Sequence, residues 1–471
     1  MNKASCRNQP ENGAVETLSK ALRAAHQLVI YRGILSDPTV SSMVELLDRL
    51  TRNTKHTRKT RLRLTESYAR LFSRLAERTA TRVSYGLGTP WQDHLLDLIL
   101  TDENLFSSQA QHIRRDALGN SLVRQVEMDL SRLQRLYHVD SDAVVSMLRK
   151  SDPGGAWLGW DEFGSAPADR ANRPERKQTA QLLHDAAEWS QLMPELARCY
   201  FKTGAGPFSQ HRAFQWMHSV PVGAVRPIAE PDPIRLDELV GFESQKETLI
   251  RNTSHFLAGH PANNVFVYGD RGTGKSSAIK ALLNHFSEEP LRMIEVSRDD
   301  LSDLPQVMAL VRHRRERFIF FIDDLSFEEG ETQYKTLKAV LEGSLEARPN
   351  NVLIYASSNR RHLIQEYFSD RDHPGSDEVR RQDTLQEKVS LADRFGIQLV
   401  FVTPSQKEYL AIVGALAKRR QLPIGQEDLE RKALQWVQLH NARSGRTARQ
   451  FIDDLTAELK TQAIQEGAFS V

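Results

Sequence analysis

The chain has 471 residues, enough for two or three domains with a sizeable core in each. Its formal net charge is +2, so overall charge argues neither for nor against a nucleic-acid partner, and any such contact must rest on a local patch. The two cysteines, Cys6 and Cys199, form no motif, which excludes a disulfide framework and points to a reducing compartment. Met1 to Arg7 lack the apolar stretch of a secretory signal, and the longest apolar runs, such as 318–322, are too short to cross a bilayer. A cytoplasmic protein without membrane contact is expected.

Residues 11–220 read as mostly helical. Leu18, Leu22, Ala25 and Val29 recur at helical spacing, as do Leu122, Val126, Leu130 and Leu133. Five of the six tryptophans (Trp91, Trp157, Trp160, Trp189 and Trp216) lie here and read as core or interface anchors. Trp157 and Trp160 fall in a long polar loop, where they either mark a docking surface or fold back onto the core. The stretch 51–63 carries Arg52, Lys55, Arg58, Lys59, Arg61 and Arg63 without an acidic residue. Such a run either contacts nucleic acid or an acidic partner, or is a solvated helix face. No aromatic residues interleave with it as a single-strand platform requires, which favours the solvated face. The histidines show no metal-binding spacing.

Four prolines in 220–233 (Pro221, Pro227, Pro231 and Pro233) suggest a stiff interdomain linker. Beyond it, Val240-Gly241 precedes a helix over about 244–258. Then an apolar run, Val265 to Tyr268, leads into Gly269-Asp270-Arg271-Gly272-Thr273-Gly274-Lys275-Ser276, and Ser277 opens a stretch with apolar residues at helical spacing. Strand, glycine loop and helix fit G-x-x-x-x-G-K-[ST] at every fixed position. Gly269, Gly272 and Gly274 allow the backbone to fold around an anion with successive N–H groups aimed at it, and the helix N-terminus adds partial positive charge. In this pattern Lys275 reaches the β- and γ-phosphates of a nucleotide, and the Ser276 hydroxyl takes one Mg²⁺ position.

Downstream, apolar strands are predicted at 291–296, 317–322, 351–356 and 397–402, with helices at 299–312 and 333–347. The alternation predicts a five-stranded parallel sheet covered on both faces, with ligands at the carboxyl ends of the strands. Asp323, after five apolar residues, is the expected second Mg²⁺ station. Asp324 is placed to orient or deprotonate a water, and Asn359 ends the neighbouring strand, where its amide can help hold that water. Each also reads as an ordinary loop residue when taken alone.

From about 236 to 464 these motifs resemble an AAA+ ATPase module. More narrowly, Val240-Gly241-Phe242-Glu243 through Asp323-Asp324-Leu325-Ser326-Phe327-Glu328 resembles a bacterial family of P-loop ATPases of uncharacterised role. The N-terminal half resembles no family. The resemblance implies that Val240-Gly241 lies on the adenine side, that Lys275 and Ser276 are Walker A, that Asp323 and Asp324 are Walker B, and that Asn359 is sensor 1. It implies that Arg394, in Asp393-Arg394-Phe395-Gly396, takes the place of a trans-acting arginine finger; from spacing alone it is equally a surface arginine. Three helix-like stretches, 405–419, 426–440 and 447–463, are similar to the helical lid. Arg446 matches sensor 2, and Arg449 is the competing candidate. One departure is Asp324, where the family pattern usually has Glu. The shorter side chain leaves three options: a site built for Asp, slow hydrolysis, or substitution by Glu328 or Glu329.

The expected architecture is thus an α/β P-loop NTPase of AAA+ type. A helical N-terminal domain (1–219) and a linker (220–233) precede the nucleotide-binding domain (234–403) and lid (404–471). The expected activity is ATP hydrolysis with Mg²⁺, coupled to shape change in a homo-oligomeric ring or filament. The helical N-terminal domain would engage a protein or nucleic-acid partner. The alternatives are a nucleotide-controlled binding module with slow or no hydrolysis, and a small-molecule kinase whose polar insert, 362–388, contacts the acceptor.

Overall fold

The computed structural model describes residues 9–52, 57–81, 85–112, 118–161, 163, 174–219, 221–327, 333–342, 348–360, 391–440 and 443–465. The chain divides into two units, Met1–Gln210 and His211–Val471.

The first unit is helical: α1 (Gln9–His26), α2 (Pro38–Thr51), α3 (Arg58–Thr81), α4 (Pro90–Thr101), α5 (Leu105–Ala110), α6 (Asn120–Tyr137), α7 (Ser141–Ser151), α8 (Pro174–Asp185), α9 (Met193–Thr203) and α10 (Pro207–Gln210). Local chemistry sets several starts. Pro38 and Pro90 each occupy a first helical position, behind Asp37, which accepts from Thr39 N and Val40 N, and behind Thr89, which forms a capping box with Gln92. Trp91, Trp160 and Trp189 are fully buried with Leu95, Leu130 and Leu133 in one core. The indole N–H of Trp91 donates to Leu136 O (2.8 Å) and that of Trp189 to Leu183 O (2.7 Å). Trp157 stands edge-on to Tyr68, with ring centroids 5.0 Å apart. The loop tryptophans therefore fold back onto the core. Of the basic run, Arg52 pairs with Asp48, and Arg58, Lys59, Arg61 and Arg63 are exposed on the first turns of α3. Lys55 lies outside the described residues.

One buried carboxylate organises this unit. Asp129 Oδ2 accepts from Val29 N (2.9 Å), Ile30 N (2.7 Å) and Tyr31 N (3.2 Å), at the start of the 3-10 turn Ile30–Ser36. Its Oδ1 accepts from Gln125 Nε2 (3.0 Å) and Arg132 Nη1 (2.8 Å). Five donors, one of them the adjacent guanidinium, make burial of this charge tolerable.

The second unit runs β1 (Ala213–Met217), β2 (Ala224–Ile228), α11 (Glu243–Leu257), β3 (Val265–Gly269), α12 (Lys275–His285), β4 (Leu291–Glu295), α13 (Leu304–Val311), β5 (Arg317–Ile322), α14 (Gln333–Glu342), β6 (Val352–Ser358) and β7 (Ile397–Phe401), then α15 (Gln406–Arg419), α16 (Gln426–His440) and α17 (Gly445–Gln465). The strands form one seven-stranded sheet in the order β2-β1-β4-β5-β6-β3-β7. All neighbours are parallel except β1 and β2.

The sheet has seven strands, not the expected five. The extra pair, β1 and β2, forms an antiparallel hairpin that extends the β4 edge. Its second strand lies within the stretch read as a linker. Pro227 argues against an inner strand because it cannot donate, but β2 is an edge strand, where a missing N–H is tolerated. Trp216 closes this hairpin on Gly223, where an added Cβ would fall 2.2 Å from the indole.

Leu249 and Phe256 of α11, with Ala278, Ile279 and Leu282 of α12, pack with Val265, Val267, Ile319, Phe321, Leu353 and Tyr355. The intervening Phe266, Phe318, Phe320 and Ile354 are buried on the opposite face, as strand alternation requires. The last three helices close on a core of their own around Tyr409, Val413, Phe451 and Ile452. The insert 362–388, Glu328 and Glu329 lie outside the described residues, and the helix expected over 333–347 is described only to Glu342. Among the described residues no helix is long and apolar enough to cross a membrane.

Asp129→Ala is expected to leave three N–H groups of the Ile30–Ser36 turn without their acceptor, at a cost of about 3 kcal/mol. A lower denaturant midpoint for the helical unit, with the second unit's transition unchanged, is the outcome to look for.

Candidate functional site

Strand order creates the site. Taking the parallel strands β3 to β7 as first to fifth in chain order, their order across the sheet is 5-1-4-3-2. β3 therefore lies between β6 and β7, and the chain crosses over two strands to reach β4. Ligands in open parallel sheets sit beyond the carboxyl ends of the strands at such a reversal.

At the end of β3 the backbone turns through Gly269 (φ 139°), Gly272 (φ 76°) and Gly274 (φ 97°) before α12 starts at Lys275. A Cβ on Gly269 would fall 1.9 Å from Phe401 O, so the close approach of β3 to β7 admits only glycine there. The first N–H groups of α12, from Lys275 onward, have no partner within the helix.

Lys275 is buried, and its ammonium donates to Gly269 O (3.0 Å), Asp270 O (2.7 Å) and Asn359 Oδ1 (3.0 Å). Burial pushes its pKa down, against the opposing charges of Asp270, Asp324 and Asp323. Ser276 Oγ donates to Asp323 Oδ1 at 2.6 Å, from α12 to the end of β5. Between them, at the end of β6, the Ser357 hydroxyl also donates to Asp323 Oδ1 and accepts from Asp324 N (3.2 Å). Asp324 holds a left-handed conformation (φ 49°), which a non-glycine residue adopts only when its surroundings require it. Its Oδ1 accepts from Asn359 Nδ2 at 2.6 Å.

These residues line a cavity of about 690 Å³. Val240, Gly241, Phe242 and Leu239 line it, with Ile412 and Leu416 of α15 and with Arg446, Arg449, Gln450 and Asp453 of α17. Gly241 (φ 86°) and Phe242 (φ 58°) turn the chain there, and the Phe242 ring stacks on Phe401 at 4.5 Å. Arg446 N donates to Gly272 O (3.3 Å), joining the start of α17 to the glycine loop. Arg271, Thr273, Ser276 and Ser277 line the same cavity.

The structure thus brings together Val240, Gly241, the residues from Arg271 to Ser277, Asp323, Asp324, Asn359 and Arg446. Gly269 and Asp270 form the base of the loop, in contact with Lys275. Arg394 is elsewhere: it follows the helical residues 391–393 before β7 and pairs with Glu342, the last described residue of α14. Sequence reading missed Ser357, although two buried serines closing an apolar strand were a signal. It also missed the Asp270 carboxylate, which accepts from Thr403 N (2.8 Å) and Thr403 Oγ1 (2.6 Å). Those bonds, with the nearby Lys275 charge, hold Asp270 below the usual carboxylate range. Arg449, the competing candidate, lines the cavity beside Arg446, whereas Gln450 and Asp453 had no signal beyond helical spacing from Arg446.

The donor set at Ser276 and Asp323 is all oxygen, a hydroxyl and a carboxylate in contact, which fits a hard divalent cation such as Mg²⁺. The glycine cradle with a buried lysine at its base fits a phosphate chain.

The family described as "Protein of unknown function (DUF815)" matches residues 209–459, more than half of the chain. The chain belongs to that family. Its match begins just before β1, so the edge hairpin falls inside the family's module and the helical unit outside it. The module is a P-loop module, by its strand order and by the ends of β3, β5 and β6 that carry the loop, the acidic pair and the asparagine. No curated protein matches the chain. Among solved structures it is similar to the Thermotoga maritima RuvB Holliday junction branch migration motor, with 16% identity, TM-score 0.31, and coverage of 47% of this chain and 72% of that one. It is also similar to the replication initiator DnaA bound to AMPPCP and single-stranded DNA, with 18% identity, TM-score 0.32, and coverage of 50% and 68%.

Gly269→Ala is expected to force β3 and β7 apart at the loop and to destabilise the second unit by about 2 kcal/mol or more. Gly414→Ala, in α15 with nothing within 4 Å of its added Cβ, is expected to be neutral or to stabilise by about 0.5–1 kcal/mol. Thermal unfolding of the pair checks both, and equal effects would refute the steric argument.

Proposed function

We propose that this chain binds ATP with Mg²⁺, hydrolyses it to ADP and phosphate, and uses the cycle to move the lid helices against the sheet. The observation that carries this reading is the Ser276–Asp323 contact at 2.6 Å beside a buried lysine held by three oxygens. Ser276 and Asp323 are the residues that would hold Mg²⁺, which when bound would neutralise phosphate charge. Lys275 turns its ammonium from the loop carbonyls to the β- and γ-phosphate oxygens, while the N–H groups from Gly272 to Ser277 cradle the chain of phosphates. Val240 and Gly241 flank the base. Asp324 takes the proton of the attacking water, with Asn359 fixing its carboxylate. The water oxygen bonds to the γ-phosphorus as the bond to the ADP oxygen breaks. Arg446 links the lid to the phosphate end.

Arg394 pairs with Glu342 and stands apart from its own cavity, which supports a role on a neighbouring subunit's site. A residue supplied in this way needs a head-to-tail contact, hence a ring or a filament of identical chains. The helical unit is then free to engage the macromolecule that is remodelled or loaded, protein or nucleic acid, through surfaces such as the basic turns of α3. The buried free thiol of Cys199 suits a reducing compartment such as the cytoplasm.

A second reading, a nucleotide-controlled binding module with slow turnover, is favoured by one feature. Asp324 is shorter than the usual glutamate, and one of its carboxylate oxygens is engaged by Asn359 at 2.6 Å. A carboxylate about 1 Å short of its water can cost on the order of a hundredfold in rate. Steady-state turnover of the full chain separates the readings: tight ATP binding without turnover, with or without DNA, favours the switch.

Lys275→Ala is expected to abolish ATP binding in a titration. Arg394→Ala is expected to keep binding but lower turnover by about 10³-fold or more. Full activity in that variant would remove Arg394 from the mechanism.

A further inference from the structure

The glycine loop carries an acidic residue at a position where the phosphate-binding pattern leaves the residue free. A carboxylate beside a triphosphate is electrostatically unfavourable unless it is directed elsewhere. Asp270 is directed elsewhere: Oδ2 accepts both Thr403 N (2.8 Å) and Thr403 Oγ1 (2.6 Å). The same residue's carbonyl oxygen accepts from Lys275 Nζ (2.7 Å) and from Thr273 Oγ1 (2.8 Å), and its N–H donates to Phe401 O (3.1 Å). One residue therefore joins the loop lysine, the end of β7 and Thr403, through its carbonyl, its N–H and its carboxylate.

Thr403 has a particular place in the chain. β7 ends at Phe401 and α15 begins at Gln406, so Val402 to Ser405 form the connection from sheet to lid. Pro404 lines the cavity, and Ser405 caps α15 through a capping box with Glu408. A rotation of the lid at this end pivots within these four residues, and the glycine loop grips the second of them. At the start of α17, Arg446 N donates to Gly272 O. The loop is thus bonded to the lid segment at two points.

We infer that Asp270 and Thr403 form a coupling clamp, a positioning pair that transmits phosphate occupancy of the loop to the angle of the lid. The inference rests on the reading that the loop takes the phosphates of ATP. When Lys275 turns to those phosphates, the Asp270 carbonyl loses a charge-assisted hydrogen bond while its carboxylate keeps hold of Thr403. The residue's reorientation passes through two hydrogen bonds into the hinge. Neither residue touches the reacting atoms; the pair acts through Lys275 on one side and α15 on the other.

The test measures amide hydrogen exchange in α15 and α17 of the full chain, with and without Mg²⁺ and a non-hydrolysable ATP analogue, beside a titration of the same analogue. Thr403→Val removes the hydroxyl and keeps the N–H, whereas Thr403→Ser keeps both donors. In the parent, the analogue is expected to slow lid exchange by on the order of five- to tenfold or more. Thr403→Val is expected to bind the analogue with at most that factor lost and to show less than half of the parent's slowing on a logarithmic scale, while Thr403→Ser restores it. A merely structural threonine would not produce this split between binding and response. If Thr403→Val responds like the parent, or Thr403→Ser fails like Thr403→Val, the clamp is overturned while the nucleotide reading stands. If the parent does not bind the analogue in the titration, both fall.

Discussion

The position of β3 between β6 and β7 is the constraint on which the rest of the site depends. With β6 next to β3 and β5 next to β6, a helix starting at Lys275 can place its second residue against the end of β5. The Ser276–Asp323 hydrogen bond spans that distance, with Ser357 on the intervening strand bonded to the same carboxylate oxygen. A different strand order would leave the glycine loop and the acidic pair at separate places on the sheet edge. Burial of the strands on both faces keeps this order, because a sheet covered by helices has no solvated face to tolerate a shift in register.

The electrostatics follow from the geometry. Lys275 is buried in a ring of oxygens, and three aspartates lie near enough to oppose the cost of burying its charge. Asp323 and Asp324 follow one another in sequence but diverge in space. The left-handed turn at Asp324 sends its carboxylate to Asn359, while Asp323 stays with Ser276. Two adjacent acids thereby serve two different points of one cavity. The backbone strain at Asp324 is supported by the bonds from its N–H to Ser357 Oγ and Asp323 Oδ1.

The glycine loop, the acidic pair and the asparagine were legible in the sequence because each follows a continuous apolar run, and a short run bounded by loop residues marks a buried strand end. The hairpin of β1 and β2 was not, for two reasons. Four prolines imitate a linker, and a strand at a sheet edge can accept a proline that an inner strand cannot. Nor does periodicity reveal Ser357 or the Asp270–Thr403 bonds. The first is a small polar residue within an apolar strand, and the second joins residues 133 positions apart. In the helical unit, spacing indicated helices, but not that Asp129 would cap a turn roughly a hundred residues away, since a buried carboxylate looks like any other aspartate until its partners are placed.

By itself, the sequence determined the chemistry available: a phosphate cradle, a lysine, a hydroxyl, two carboxylates and an amide, each tied to a local element by spacing that follows from strand and helix geometry. Tertiary structure alone decided which of these meet. It brought Ser276 to Asp323 and Asn359 to both Lys275 and Asp324, put Arg394 beside Glu342, and bonded Thr403, between β7 and α15, to the loop. The physical reason is range. Periodicity reports which face of an element is apolar, whereas contacts between strand ends depend on the order in which the strands assemble. That order is settled by burying the helix and sheet faces together.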